Sequence, residues 1–128
     1  MNLAEDRRRK RSNDPLVALH YQLSHARSEG HMETIVVADD AGLVVAGAGP
    51  WAACEELAAY APLLAQSGWH EPAKSARSRV DEIREDVGVQ PVDVDGQTVL
   101  LCARGGKTQP ATMDKTARAV ARILRKAA

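Results

Sequence analysis

A chain of 128 residues is about one domain long, enough to bury roughly two thirds of its unfolded-state surface, and 45% hydrophobic content builds a core without disulfide or metal staples. Formal charge is zero, from 17 basic and 17 acidic residues, which argues against a nucleic-acid-wrapping domain or a membrane-surface binder. Phenylalanine is absent and Tyr21, Trp51, Tyr60 and Trp69 are the whole aromatic complement, too few faces for a base-stacking platform.

The charge is unevenly placed. Residues 1–11 carry Arg7, Arg8, Arg9, Lys10 and Arg11 against two acids, so the rest of the chain is mildly acidic. Residues 1–12 lack apolar periodicity and are expected to form a disordered basic tail, with residues 13–128 as a single domain. Arg7–Arg11 are a possible anion contact, able to meet phosphate or an acidic protein; a solubilising tail is the plainer reading. The run Leu16–Leu19 is too short for a signal-peptide core. The longest charge-free stretch, Ala41–Cys54, spans 14 residues broken by glycines and Pro50, short of the ~20 a membrane helix needs. A cytoplasmic protein that does not enter the membrane is expected.

Asp14-Pro15 opens a helix, with Asp as N-cap and Pro at the first helical position. Leu16, Leu19, Leu23 and Ala26 form one apolar stripe, and Gly30 ends the helix as a C-terminal glycine. Thr34–Ala38 is β-branched and continuously apolar, which predicts a strand buried on both faces. Asp39-Asp40-Ala41-Gly42 supplies a turn and Leu43–Ala46 returns antiparallel, closing a hairpin. Gly47–Pro50 ends that strand and starts a second helix, whose apolar face is Cys54, Leu57, Ala61 and Leu64. Pro62 should kink it, because the ring removes one backbone donor and crowds the carbonyl of Ala58.

Residues 66–86 are polar, with a short helix over Arg77–Glu85 and a loop as open alternatives. The segment Val87–Val94, the turn Asp95-Gly96 and the segment Thr98–Ala103 read as a second hairpin; Pro91 places its strand at a sheet edge or bulge. A last helix over Met113–Lys126 sets Met113, Ala117, Val120, Ala121 and Leu124 on one face and Lys115, Arg118, Arg122 and Arg125 on another. The order is α-β-β-α-(polar segment)-β-β-α, an α+β domain with an antiparallel sheet of four to five strands and three main helices.

Motifs that suggest chemistry do not hold. Gly105-Gly106-Lys107-Thr108 resembles the end of a phosphate-binding loop, but Leu101 stands where the first glycine belongs. His70-Glu71-Pro72-Ala73-Lys74 lacks the second histidine of a zinc-protease helix. Asp39, Asp40, Asp93 and Asp95 sit at or beside hairpin turns, where local hydrogen bonding explains them better than acid–base catalysis. Cys54 and Cys102 match no metal spacing and read as small buried apolar groups, with a disulfide or a redox pair as the alternatives. No catalytic residue, metal or cofactor is expected.

ETIVVADDAGLVVAGAG followed by EELAAYAPLLA resembles the Roadblock/dynein light chain family: a hydrophobic strand Ile35–Ala38, the turn Asp39–Gly42, a second strand Leu43–Ala46 and the Ala-rich helix Glu55–Ala65. The resemblance covers Asp14 to Ala65. The chain departs from the family in its longer polar stretch at Gln66–Asp86 and in having four evident strands where the family has five. GAF-like and other profilin-like sensor domains share these local patterns. The resemblance implies a non-enzymatic, homodimeric scaffold or regulator of Ras-like small GTPases. Cys54, Leu57, Ala61 and Leu64, with Pro91 on the edge strand, are the expected dimer or partner surface. A small-molecule sensor and a nucleic-acid accessory protein acting through Arg7–Arg11 are the alternatives.

Overall fold

In a computed structural model the described residues are 14–65, 86–106 and 110–127. The basic tail with Arg7–Arg11, the Arg77–Glu85 segment, His70–Lys74 and Lys107–Gln109 lie outside them.

Helix α1 (Pro15–Glu29) begins as the sequence predicts: the Asp14 carboxylate accepts hydrogen bonds from the Leu16 and Val17 amides at 3.1 and 3.4 Å, satisfying two amides that the helix cannot. Its end differs from expectation. Gly30 caps the helix at φ −90°, and the left-handed residue is His31 at φ 51°. A Cβ on Gly30 would meet Met32 Cε, the movable end of a flexible side chain, at 2.8 Å and the Ala26 carbonyl oxygen at 3.3 Å.

Strands β1 (Thr34–Ala38) and β2 (Val44–Ala48) form the first hairpin. Every residue of β1 is buried, as continuous apolarity implies. At the turn, Asp39 Oδ1 accepts from the amides of Ala41 and Leu43, both at 2.9 Å, and Gly42 takes φ 84°. The second strand lies later than Leu43–Ala46. Leu43 belongs to the turn, while Gly47 and Ala48 continue the ladder opposite Val36 and Ile35.

Helix α2 (Trp51–Ala65) keeps Pro62 inside it. Proline lacks the amide that would bond the Ala58 carbonyl. The first hairpin turn packs against that carbonyl: a Cβ on Gly42 would lie 3.3 Å from Ala58 O. Strands β3 (Val87–Val94) and β4 (Gln97–Arg104) make the second hairpin around Asp95 at φ 52° and Gly96 at φ 88°. Helix α3 (Pro110–Ala127) starts three residues before the expected Met113, with proline in its first turn, where a missing amide costs nothing.

The sheet order is β2-β1-β4-β3, antiparallel throughout, so Pro91 lies on an edge strand of the described sheet. Strand β1 pairs with β2 on one side and β4 on the other, which puts Val36 between Gly47 and Cys102. Alternation along β1 then assigns the two faces. Ile35 and Val37 pack with Leu19, Leu23, Met113 and Val120 of α1 and α3, whereas Val36 and Ala38 pack with Leu57, Ala58 and Ala61 of α2. Among the described residues, two helices cover one face of the sheet and one helix covers the other. Each fully buried Leu, Ile or Val contributes about 1.5–3 kcal/mol of hydrophobic stabilisation. The architecture is α+β, with three helices and a four-stranded antiparallel sheet among the described residues. No described helix is long and apolar enough to cross a membrane.

Candidate protein-binding surface

Three residues expected at a dimer or partner surface are buried within the chain. Cys54, Leu57 and Ala61 are the inner face of α2, each no more than 1% exposed, and they fill the monomer's own core. Leu64 is half-buried against the same cluster. Pro91 is exposed on β3 and paired with Leu100, on the sheet face that α2 covers. The apolar periodicity of α2 identified the face that meets the sheet, not a face that meets a partner.

The outward side of α2 carries the feature that periodicity missed. Ala52, Glu55, Ala59 and Leu63 follow at i, i+3, i+7 and i+11, a stripe opposite Leu57; the first three are exposed and Leu63 is half-buried. Trp51, at the helix start, is 60% exposed. Beside the stripe lies the β1–β2 turn, where a Cβ on Gly42 would stand 3.4 Å from Ala59 Cα and the adjoining Leu43 is 65% exposed. Alanines at Ala52 and Ala59 leave the helix backbone close to the surface. A second helix can therefore approach nearer than long side chains would permit. The available signal was that α2 is apolar nearly all round, a composition that a surface helix needing only one buried face does not require.

Charges border this stripe. Arg104, at the end of β4, has Nη1 3.5 Å from Glu56 Oε1 and Nε 4.0 Å from Asp86 Oδ2. At 4.0 Å the second contact is an ion pair without a hydrogen bond, so the buried Nε is left without an acceptor.

The groups with chemical potential are occupied structurally. Asp39 holds its own turn, Asp93 accepts from the Gly96 amide at 3.2 Å, and Asp95 lies 3.8 Å from Arg125 Nε. Gly105 and Gly106 adopt φ 82° and 66°, and both are pressed against backbone: Cβ atoms there would meet Glu33 and the carbonyls of Gly30 and His31. They serve a close chain crossing, not a phosphate cradle. No group of three metal-ligating side chains occurs among the described residues. Both cysteines are free and buried. Cys54 Sγ sits over Gly47, 2.9 Å from where a Cβ would be, while Cys102 lies beyond Val36, two strands across. Burial pushes the Cys102 thiol up to about 12 and raises that of Cys54, where the Arg27 guanidinium pulls partly the other way. Neither thiol is activated.

The fold has close counterparts among solved structures. An MglB with a tetrameric arrangement aligns over 90% of this chain and 93% of its own, with 21% identity and a TM-score of 0.56. MglB of Myxococcus xanthus aligns over 89% and 90%, with 13% identity and a TM-score of 0.51. The gliding protein MglB from Thermus thermophilus aligns over 86% and 90%, with 20% identity and a TM-score of 0.52. No family model matches the chain, and no curated protein does. The chain has a Roadblock-like fold.

Proposed function

We propose that this chain is a non-enzymatic, homodimeric scaffold that regulates a Ras-like small GTPase in the cytoplasm, and that its copies join through the outer face of α2. The observation that carries the reading is the outer stripe Ala52, Glu55, Ala59 and Leu63, apolar but for Glu55, on a helix whose opposite face already completes the core. Burying such a stripe against its own copy is a common solution for contiguous exposed apolar surface. A two-fold axis near Ala59 would set the two α2 helices side by side and bring Leu43 of each copy to the rim. The Roadblock-like fold supports the GTPase assignment, since the family resembled by residues 14–65 acts on Ras-like GTPases; the tetrameric arrangement of one MglB neighbour supports self-association.

Light scattering after gel filtration tests the first half. The wild type is expected at twice the 13.8 kDa chain mass. Ala59→Glu and Leu63→Glu are expected at the monomer mass with unchanged far-ultraviolet circular dichroism. A wild type that stays monomeric at high micromolar concentration would sink the dimer. For the second half, the purified protein is added to a Ras-like GTPase from the same organism. Binding selective for the GTP-loaded form, or faster hydrolysis, is expected; neither effect would remove the GTPase reading while leaving the dimer intact.

A further inference from the structure

On the side of the sheet away from α2, helices α1 and α3 leave an open groove of about 380 Å3 lined by Ala18, Tyr21, Gln22, His25 and Ile123. The α1 residues recur at i, i+3, i+4 and i+7, one stripe of the helix turned away from its buried Leu19, Leu23 and Ala26. Tyr21 is 58% exposed, and Leu16 at the head of the same helix is 50% exposed. Arg122 adjoins Ile123, Lys126 follows one turn later and Arg118 precedes by one turn; all three are exposed.

The charges are unbalanced. Arg118, Arg122 and Lys126 form no ion pair among the described residues, whereas Lys115 lies 3.6 Å from Glu29 and Arg125 lies 3.8 Å from Asp95. Glu29, the acid at one end of the groove, is already shared with His25 at 3.0 Å, and Asp114 accepts from Gln90 at 3.0 Å. A concave floor whose apolar part is Ala18, Tyr21 and Ile123, beside Gln22 and His25, with an uncompensated cationic flank fits a ridge that is apolar along its crest and acidic along its side.

We propose that the α1–α3 groove docks an acidic amphipathic helix of a partner protein, its apolar crest on Tyr21, Ala18 and Ile123 and its carboxylates against Arg118, Arg122 and Lys126. A nucleic acid fits less well, because the floor offers one aromatic face and the cations form a single row on one side. A bilayer would need a projecting apolar surface, and this one is recessed. The site is independent of the α2 surface, so each proposal stands or falls alone; together they would let a dimer hold two partner helices.

The test is a displayed library of helical peptides with a fixed leucine stripe and flanks randomised among Glu, Lys and Ser, selected on the full chain. Peptides enriched in Glu are expected. Their affinity by fluorescence anisotropy should fall at least about tenfold for R122E/K126E and for Tyr21→Ala, both at exposed positions, and should weaken with salt. If charge reversal lowers the thermal midpoint, R122Q/K126Q replaces it under the same expectation. Failure to select peptides, selection of Lys-rich ones, or equal binding to the charge variants overturns the proposal. So does tight binding of oligothymidylate or phosphatidylserine vesicles where no acidic peptide binds.

Discussion

His20 Nδ1 stands 2.9 Å from the carbonyl oxygen of Gly47, tying helix α1 to the edge strand β2 across 27 positions of sequence. A carbonyl only accepts, so Nδ1 carries the proton and donates. The bond satisfies an acceptor on a strand that has a sheet neighbour on one side among the described strands. His20→Ala should cost about 0.5–1.5 kcal/mol, at the low end because the ring is solvent-exposed. Urea unfolding reads the change directly; a midpoint identical to wild type would show that water replaces the bond without loss.

Two glycines with similar backbone angles should respond differently to alanine. Gly96 has φ 88° and open space around its missing Cβ, so Gly96→Ala meets only the left-handed strain, about 1 kcal/mol. Gly106 has φ 66°, but a Cβ would overlap the His31 carbonyl and stand 2.7 Å from the Gly30 oxygen. Backbone cannot step aside as a side chain can, so Gly106→Ala should cost about 2–4 kcal/mol. Comparable thermal midpoints for the two variants would contradict the close crossing of the β4 exit over the α1–β1 connection.

The difference between local and non-local information explains what the sequence disclosed. Asp14-Pro15, Asp39 with Gly42, and Asp95-Gly96 each act within a few residues, and each does in the structure what its type dictates. The sheet order was not legible, because β1–β4 pairing joins residues more than sixty positions apart and no turn residue encodes it. The burial of Cys54, Leu57 and Ala61 was not legible for a related reason. Periodicity found the Cys54–Leu57–Ala61 face of α2 but cannot say whether a face meets the chain's own sheet or another molecule. Only once the inner face of α2 is seen to meet the sheet does the outer stripe with Ala52, Ala59 and Leu63 stand as the face left over among the described residues. The α1–α3 groove was hidden further, since its lining and its cations come from opposite ends of the chain.

Cys102 predicts a pH dependence. Its thiol is held neutral by burial, to about 12 from an ordinary 9.0. Between those values the unfolded chain loses the proton while the folded chain keeps it. The unfolded state then binds fewer protons, and stability falls as pH rises from about 9 toward 12. The full contribution is present below 9. Its size is at most about 4 kcal/mol at 1.4 kcal/mol per unit. Cys102→Ala removes the group, so the drop in unfolding free energy from pH 8 to about 11 should be shallower in the variant than in wild type. Parallel pH profiles would mean that Cys102 ionises in the fold as readily as outside it.

The two sides of α2 can be separated by how stability depends on protein concentration. Leu57 is 1% exposed against the sheet, so Leu57→Ala leaves a cavity within one chain and should cost about 2–4 kcal/mol at any concentration. Leu63 lies on the outer stripe and is half-buried in the single chain, so Leu63→Ala should cost less than about 1 kcal/mol in a dilute, dissociated sample. If the outer stripe is the dimer contact, association adds mass-action stability to the wild type as concentration rises, and Leu63→Ala loses that gain whereas Leu57→Ala retains it. Denaturation midpoints measured across a hundredfold concentration range should therefore diverge between wild type and Leu63→Ala and stay parallel between wild type and Leu57→Ala. A Leu63→Ala curve parallel to wild type would place the self-association surface elsewhere on the chain even if a dimer forms.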